Sequence, residues 1–294
     1  MPRDNNKSKR IDRIVISCVI FDTVMITDPI EHYDATKAYL VHYSKKDDDE
    51  YNECFKRVLE ILEEGFNTVV LDYGMSEFGY DSGSIGAEIK KQKNLNVIDV
   101  NSEKVYVFQD MLRVLFSIIR KERSISSKNP IYVNVSAGTS EFSAAALIVS
   151  MMFENVEAFS VGTMEYTIVG LDPYKDRETG KFIGISKAVH PPRAINGFKV
   201  SQPEKNFTLA LRLYKEMGFP SATKMIRALK DSGLWNSPDG DLPNEKMRYQ
   251  RRYIDEWLKD GLIEKNGRGK YSLTPQGQFA IETYYTEVEL LSIV

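Results

Sequence analysis

Residues able to form disulfides or bind metals are scarce in this sequence. Its 294 residues include two cysteines, Cys18 and Cys54, which are far apart and form no CxxC pair. Such usage is typical of the reducing cytosol and argues against a disulfide framework. The three histidines, His32, His42 and His190, lack the spacing of metal ligands. We therefore expect a cytoplasmic protein with no metal site and no cofactor.

Membrane-directing segments and a strong net charge are also missing. Residues 1–10 are polar and basic, so we expect no signal peptide, and no apolar run approaches the length needed to span a bilayer. No membrane partner is expected. The formal net charge is -3, so any surface that binds nucleic acid must be local. The pattern GxxxxGKS/T does not occur, and the glycine-rich stretch 74–86 matches no nucleotide-binding spacing, so it predicts only a long loop.

The first 170 residues alternate between apolar, β-branched runs and helical patterns. The predicted strands cover residues 13–21, 37–43, 67–72, 131–135 and 156–161, with a sixth candidate at 167–171. The predicted helices cover residues 47–65, 107–121 and 139–153. Such alternation is typical of a parallel sheet covered by helices on both faces. Sheets of this class bind ligands beyond the carboxyl ends of their strands.

The most informative stretch lies at the carboxyl end of the fourth predicted strand, where Ser136, Ala137, Gly138, Thr139 and Ser140 lead into a helix. Gly138 can adopt a positive φ, Ala137 leaves room near the backbone, and Thr139 or Ser140 is a natural N-cap. Backbone N–H groups that converge in such a turn attract an anion, helped by the helix dipole. The turn therefore predicts either an anion-binding site or a closely packed connection without a ligand.

Two successive prolines, Pro191 and Pro192, mark a change of pattern. Successive prolines cannot continue a helix and favour an extended chain. We therefore predict a sheet domain over residues 1–190, a linker over 191–203 and a separate domain over 204–294.

The predicted second domain contains three helical patterns, a hairpin signal and a last helix. The hairpin surrounds the turn Asn266-Gly267-Arg268-Gly269, and Thr274-Pro275 opens the last helix with proline at its first position. Three helices followed by a two-stranded wing and a closing helix describe a winged helix-turn-helix.

The third helix of this domain, predicted over residues 244–260, has an apolar and a basic side at about 100° per residue. The residues predicted to face the core are Met247, Ile254, Trp257 and Leu258. The residues predicted on the opposite face are Glu245, Arg248, Tyr249, Arg252 and Glu256, with Lys246 and Arg251 on its flanks.

Cations on this helix and on the wing predict contact with duplex DNA. The residues concerned are Lys246, Arg248, Tyr249, Arg251, Arg252, Arg268 and Lys270. Arginine and lysine bind phosphates and guanine edges in the major groove, and tyrosine suits a phosphate or thymine contact. From residue 204 onward, however, 14 Lys and Arg face 13 Asp and Glu. The alternative is therefore a solvated charged face that only packs or dimerises.

Taken together, the chain resembles the CRISPR-associated Rossmann fold (CARF) regulators along nearly its whole length. These include CRISPR-locus DNA-binding regulators and related archaeal two-domain proteins. The resemblance implies an α/β fold, in which a Rossmann-like, mostly parallel sheet domain is followed by a C-terminal winged helix-turn-helix domain. Its most specific element is a fourth-strand motif that reads roughly Asn-x-Ser-Gly-Gly-Thr followed by a basic residue. Here the motif is Asn134-Val135-Ser136-Ala137-Gly138-Thr139-Ser140, in which alanine replaces one glycine and serine replaces the basic residue.

The resemblance also implies a ligand and a homodimer. In the family this turn and the loop after the first strand bind cyclic oligoadenylate across a twofold axis. The ligand-binding residues carried over are Phe21, Asp22, Thr23, Ser136, Ala137, Gly138, Thr139 and Ser140. Asp22 and Glu141 add two acidic side chains near this turn. The resemblance thus implies a nucleotide-like effector, of which cyclic oligoadenylate is the family's example.

Three functions are compatible with these features. The first is a dimeric, ligand-responsive transcription regulator, in which the effector changes the spacing of two winged helices on duplex DNA. The second is a metal-independent ring nuclease in which Thr23, Ser136 and Thr139 position a ribose 2′-hydroxyl. The two loops that would form this nuclease site contain no evident general base, so no catalytic residue is assigned. The third is an interaction module that binds protein or RNA and has no ligand. We favour the regulator, because basic residues occur together on the third helix and the wing.

Overall fold

The structure, a computed structural model, describes residues 11–43, 49–72, 94–102, 104–167, 175, 180–235, 237–238, 240–267 and 269–286. The chain divides into two compact units, of which the first reaches Val200 and the second begins at Ser201. No helix in the described ranges is both long and apolar enough to cross a membrane. The predicted loop at 74–86, Arg268, and residues 168–171 of the sixth candidate strand lie outside the described residues.

Parallel strands form the centre of the first unit. Its strands are β1 (Ile14–Val19), β2 (Lys37–His42), β3 (Asn67–Asp72), β4 (Asn94–Asn101), β5 (Ile131–Asn134), β6 (Val156–Ser160), β7 (Thr163–Tyr166), β8 (Ser186–Val189) and β9 (Arg193–Ala194). Seven of them form one sheet in the order β3-β4-β2-β1-β5-β6-β9, and only the last pair is antiparallel. β7 and β8 form a separate antiparallel pair. The predicted mixed α/β fold with a mostly parallel sheet is confirmed.

Both faces of the central strand are buried. The helices of this unit are α1 (Val24–His32), α2 (Asp49–Gly65), α3 (Phe108–Ile125) and α4 (Ser140–Met152). All six residues of β1 are buried, which explains why its sequence is apolar without alternation. One core joins α1 and α2 to the sheet through residues such as Ile26, Phe55 and Leu40. α3 is held to β2 by the fully buried Glu122, which accepts hydrogen bonds from Lys37 at 2.8 and 3.0 Å.

Several elements of the first unit were not predicted from the sequence, among them α1 and β4. α1 contains an internal proline, Pro29, and β4 carries polar residues that are rare in strands, including Asn94, Asn96 and Asp99. β4 nevertheless pairs with β2 on one side and β3 on the other. Pairing on both sides satisfies its backbone, so tertiary context overrides the local preference.

The predicted linker over 191–203 is also partly wrong. Arg193–Ala194 forms β9 at the edge of the sheet, and the Val200 N–H donates to the Met151 carbonyl at 3.0 Å. The chain therefore stays attached to the first unit after the two prolines, because an antiparallel edge strand needs only an extended backbone.

The second unit consists of helices around an aromatic core, with one hairpin. Its elements are α5 (Lys205–Glu216), α6 (Ala222–Asp231), α7 (Leu242–Tyr249), a π-helical turn (Gln250–Ile254), α8 (Asp255–Lys259), β10 (Ile263–Lys265), β11 (Tyr271–Leu273) and α9 (Pro275–Thr283). Asp241 caps α7, and Thr274 caps α9, each through its side-chain oxygen. The fully buried Trp257 lies at the centre of the core. Arg212 of α5 donates to carbonyls at the end of α9, which fixes these two helices together.

Candidate functional site

The two segments assigned to a ligand lie beside each other in the first unit. β1 pairs with β2 on one side and with β5 on the other, so the strand order reverses between β1 and β5. Open α/β sheets bind ligands at such a reversal, beyond the carboxyl ends of the strands. Asn134 links the two segments, since its side-chain amide donates to the Met25 carbonyl at 2.7 Å and its oxygen accepts from the Ser136 N–H at 3.0 Å.

Internal contacts hold the turn after β5 in place. Gly138 has a φ of +109°, and a Cβ atom there would lie 2.5 Å from the Cβ of Cys18. Thr139 is the N-cap of α4, because its hydroxyl accepts from the Phe142 N–H at 3.1 Å, and it also donates to the Val105 carbonyl at 2.7 Å. The Ser136 hydroxyl accepts from the Val161 N–H at 2.7 Å. Close packing thus accounts for the small residues of this turn.

Two predicted residues, Ala137 and Ser140, differ sharply in exposure. Ala137 is buried, whereas Ser140 is exposed and its hydroxyl donates to the Glu141 carboxylate at 3.0 Å. The first N–H groups of a helix have no intrahelical partner, and the Thr139 cap satisfies only that of Phe142. The first turn of α4 therefore presents the backbone N–H groups of Ser140 and Glu141 to an incoming anion.

The loop after β1 is turned inward. Phe21 is half-buried, while Asp22 and Thr23 are buried. The Asp22 carboxylate accepts from the Met25 N–H at 3.1 Å and from the Ser186 N–H at 3.0 Å. The Thr23 hydroxyl donates to the Ile183 carbonyl at 2.7 Å. These side chains fasten the segment before β8 to the loop, and the Asp22 charge is directed at backbone N–H groups.

The stability of the first unit should depend on the ionisation of Asp22. Burial raises the pKa of this carboxyl above its ordinary value, more than the hydrogen bonds from Ser186 and Met25 lower it. A raised folded-state pKa means that the stabilising contribution is complete below the ordinary pKa and is lost as pH rises through the folded-state pKa. Asp22→Asn has no such ionisation. As pH rises above about 4, the unfolding free energy of the wild type should therefore fall relative to this variant, until the folded-state pKa has been passed.

Urea unfolding followed by far-UV circular dichroism at several pH values measures this difference. A difference that is constant with pH, or one that grows in favour of the wild type, would contradict the burial effect.

The hydroxyls and thiols near this turn are poorly placed to act as catalytic groups. The hydroxyl protons of Thr23 and Thr139, which a ring nuclease would use, are donated to backbone carbonyls. Burial raises the pKa of the Cys18 thiol to about 12 and also raises that of Cys54, so neither thiol is a nucleophile at neutral pH. Within the described ranges, no three His, Cys, Asp or Glu side chains come together to hold a metal ion.

A buried histidine–aspartate pair lies at the ends of β2 and β4. The His42 Nε2 atom is 2.6 Å from the Asp99 carboxylate, and the imidazole ring stacks on Phe55 with centroids 3.8 Å apart. This pair was not predicted from the sequence, because the strand that carries Asp99 was itself not predicted. His42 is satisfied by Asp99 and is 4% exposed, which makes it a packing residue of the sheet.

In the second unit, the π-helical turn changes which residues of the third helix are exposed. Tyr249 and Glu245, predicted to lie on the surface, are only 3% and 6% exposed, and Met247, predicted in the core, is 47% exposed. These three predictions are wrong. A π-helical turn closes through i→i+5 hydrogen bonds and so holds more residues than an α-helical turn. It lets Tyr249, Tyr253 and Trp257, four residues apart, all face the core.

Polar contacts further divide the predicted DNA-binding residues. Buried Glu245 accepts from the Lys230 ammonium at 2.6 Å and from the Gly240 N–H at 3.1 Å, so it joins α6 and the following turn to α7. Half-buried Arg248 donates to the Pro238 carbonyl at 2.6 Å.

The remaining predicted cations are exposed. They are Lys246, Arg251, Arg252 and Lys270. For none of their side chains does the described part of the chain contain an ion pair. Arg268 of the wing tip, the last predicted contact, lies outside the described residues. The helix and the hairpin thus present four cations whose charges are open to a partner.

Comparison with known proteins gives one family and distant solved structures. Residues 13–166, just over half of the chain, match the family described as HFX_2341_N:-like, N-terminal. No curated protein matches the chain. Csm6 of Enterococcus italicus, bound to cyclic hexa-2'-fluoro-hexa-dAMP, is similar with a TM-score of 0.42 and 8% identity, over 85% of this chain and 56% of that one. Can2 from Sulfobacillus thermosulfidooxidans, in complex with cyclic tetra-adenylate, gives a TM-score of 0.33 and 14% identity, over 92% of this chain and 64% of that one. The chain therefore spans less than two thirds of either protein.

Proposed function

The chain belongs to the HFX_2341_N:-like, N-terminal family, and from its two units we propose a ligand-responsive regulator that binds duplex DNA. The second unit acts as a winged helix-turn-helix, and the first unit binds a nucleotide-like effector. The observation that carries the proposal is the set of exposed cations Lys246, Arg251, Arg252 and Lys270, whose charges have no ion pair in the described part of the chain.

The order of elements in the second unit supports DNA binding. We assign α6 and α7, which residues 232–241 connect, as the helix pair of this motif, and the hairpin of β10 and β11 after the third helix as its wing. In proteins of this architecture the second helix of the pair enters the major groove. Because Glu245 is buried against Lys230, its charge opposes the basic surface less than the sequence indicates. The exposed cations then remain available to DNA phosphates.

Salt dependence tests this half of the proposal. Each neutralised phosphate contributes a slope of about -0.9 to the plot of log affinity against log salt, so four contacts predict about -3.6 per chain. Fluorescence anisotropy with a labelled duplex between about 50 and 200 mM salt measures the slope. Absence of binding at the lowest salt, or an affinity independent of salt, would contradict DNA binding.

The position of the turn after β5 supports the effector half. The turn lies at the strand-order reversal, and the first turn of α4 presents backbone N–H groups there. Exposed Ser140 stands where the related motif has a basic residue, so the ligand is held by N–H groups and hydroxyls rather than by a lysine. The proposed assembly is a homodimer with one effector shared by two chains.

Isothermal titration tests the effector and the dimer together. Adenylate rings are the first probes, since cyclic tetra-adenylate and a cyclic hexa-adenylate analogue are bound in the Can2 and Csm6 structures. The rings to be tested contain three, four or six adenylates. Binding of one such ring per two chains would support both the nucleotide effector and the homodimer. Absence of heat with all three rings would remove cyclic oligoadenylate as the effector, and a ratio of one ring per chain would contradict the shared site.

A further inference from the structure

The exposed side of α7 and of the π-helical turn that follows it carries three residues of different chemistry. Asn244 and Met247 of α7 and Arg251 of the turn are all exposed, and on a regular α-helix their spacing of three and four residues places side chains within about 60° of one another. They lie opposite Tyr249, which faces the core. We propose that this row reads base edges in the major groove, with Asn244 on adenine, Met247 on a thymine methyl group and Arg251 on guanine.

The chemistry of the three side chains matches three different bases. An asparagine amide pairs with the N6 and N7 atoms of adenine, and an arginine fork pairs with the O6 and N7 atoms of guanine. An apolar side chain selects thymine, because its methyl group is the apolar feature of the major groove. A single exposed methionine is common on protein surfaces. We assign Met247 to a thymine methyl group because it lies between Asn244 and Arg251, whose side chains have the chemistry to pair with bases.

The length of the row also fits. From Asn244 to Arg251 the helix rises by about 10.5 Å, which spans about three base pairs at 3.4 Å each. We therefore expect a half-site with two adjacent A·T pairs followed by a G·C pair. Lys246 and Arg252 lie on the two flanks of the row, where the phosphates of the groove walls run.

The π-helical turn is what directs this row outward. Residues that recur every four positions drift by about 40° per step on an α-helix, so Tyr249, Tyr253 and Trp257 would leave the core face. The wider turn at Gln250–Ile254 corrects this drift, so the side chains of these three residues all stay buried. The opposite side, with Met247 and Arg251, then faces solvent.

This assignment rests on the proposed DNA binding, and a thymine-to-uracil exchange tests it separately. Selection of the full chain on random duplexes first gives the preferred half-site. Replacing each thymine by uracil then removes one methyl group at a time. At one position the wild type should lose about fourfold in affinity, the value of one buried methyl or methylene group. Met247→Ala should bind the thymine and uracil duplexes equally.

Two further variants separate base reading from phosphate contact. Lys246→Ala should weaken binding to all duplexes and keep the preference for thymine over uracil. Arg251→Ala should reduce the preference for guanine at its position by about 5- to 150-fold, the range of one bidentate pair. If the wild type binds duplex DNA but shows no uracil effect, or if Met247→Ala keeps the effect, the row does not read bases. If the wild type binds no duplex at all, the proposed function itself fails.

Discussion

The double variant Lys246→Ala, Arg252→Ala is expected to bind every duplex about 100-fold more weakly, at roughly tenfold per charged contact. Both side chains are exposed and lie on opposite flanks of α7 and the π-helical turn. Loss of two phosphate contacts should also reduce the salt slope by about 2. Because neither residue has an ion pair within the described ranges, the stability should change by less than about 0.5 kcal/mol.

The matched control is Lys205→Ala, Lys215→Ala on α5. It removes the same charge from exposed positions of the same unit but from another helix. It should keep nearly the wild-type affinity and salt slope. If the control weakens binding as much as the first variant, net charge rather than the α7 surface explains the effect. If the first variant binds normally, the third helix does not contact DNA.

Gly138→Ala is expected to destabilise the first unit by about 3 kcal/mol, through backbone strain and overpacking together. Its φ of +109° is unfavourable for a side chain, and the new Cβ would lie 2.5 Å from the Cβ of Cys18 and 2.8 Å from its sulfur. Cys18 is fully buried in β1, so it cannot move aside. The glycine is therefore required by packing, whether or not a ligand binds at the turn.

A control and a rescue separate the two causes of this loss. Gly180 has a φ of +68°, and no described atom lies within 4 Å of the position that a Cβ would take there, so Gly180→Ala reports backbone strain alone. Cys18→Gly combined with Gly138→Ala should lose less stability than the sum of the two single variants, because the clash is removed. Far-UV circular dichroism during urea unfolding measures each loss. If the stability loss of the double variant equals the sum of the losses of the two single variants, the clash with Cys18 does not contribute.

Tryptophan fluorescence adds an internal reference. Both tryptophans, Trp235 and Trp257, belong to the second unit. The fluorescence transition should therefore stay unchanged in the Gly138 variants if the two units unfold independently. A fluorescence transition that moves with the dichroism would show that the two units unfold together.

Acidic residues show most clearly how position changes the meaning of a side chain. Judged from the sequence alone, the negative charge of Asp22 should weaken the binding of an anionic ligand at the turn after β5. The negative charge of Glu245 should likewise weaken the binding of DNA at the third helix. In the structure Asp22 accepts from the Met25 and Ser186 N–H groups, and Glu245 accepts from Lys230 and Gly240. Ser186 lies 164 positions from Asp22 and Lys230 lies 15 positions from Glu245, so a local sequence pattern does not contain these two contacts.

The sequence by itself determined the sheet and the turn at its carboxyl edge. Continuous apolar, β-branched runs such as residues 14–19 are typical of strands buried on both faces, and glycine at 138 marks the turn that follows β5. Periodicity also located the helices of the second unit, because the 3.6-residue repeat reflects one buried side.

Only the tertiary structure decided which side chains are available on those elements. An ideal helical repeat placed Met247 inside and Tyr249 outside, and the π-helical turn reversed both. β4 was hidden because its asparagines disfavour strands, yet pairing with β2 and β3 satisfies its backbone. The physical reason is the same in both cases. Local preferences are worth tenths of a kcal/mol per residue, whereas burying an aromatic side chain or completing a strand's hydrogen bonds is worth considerably more.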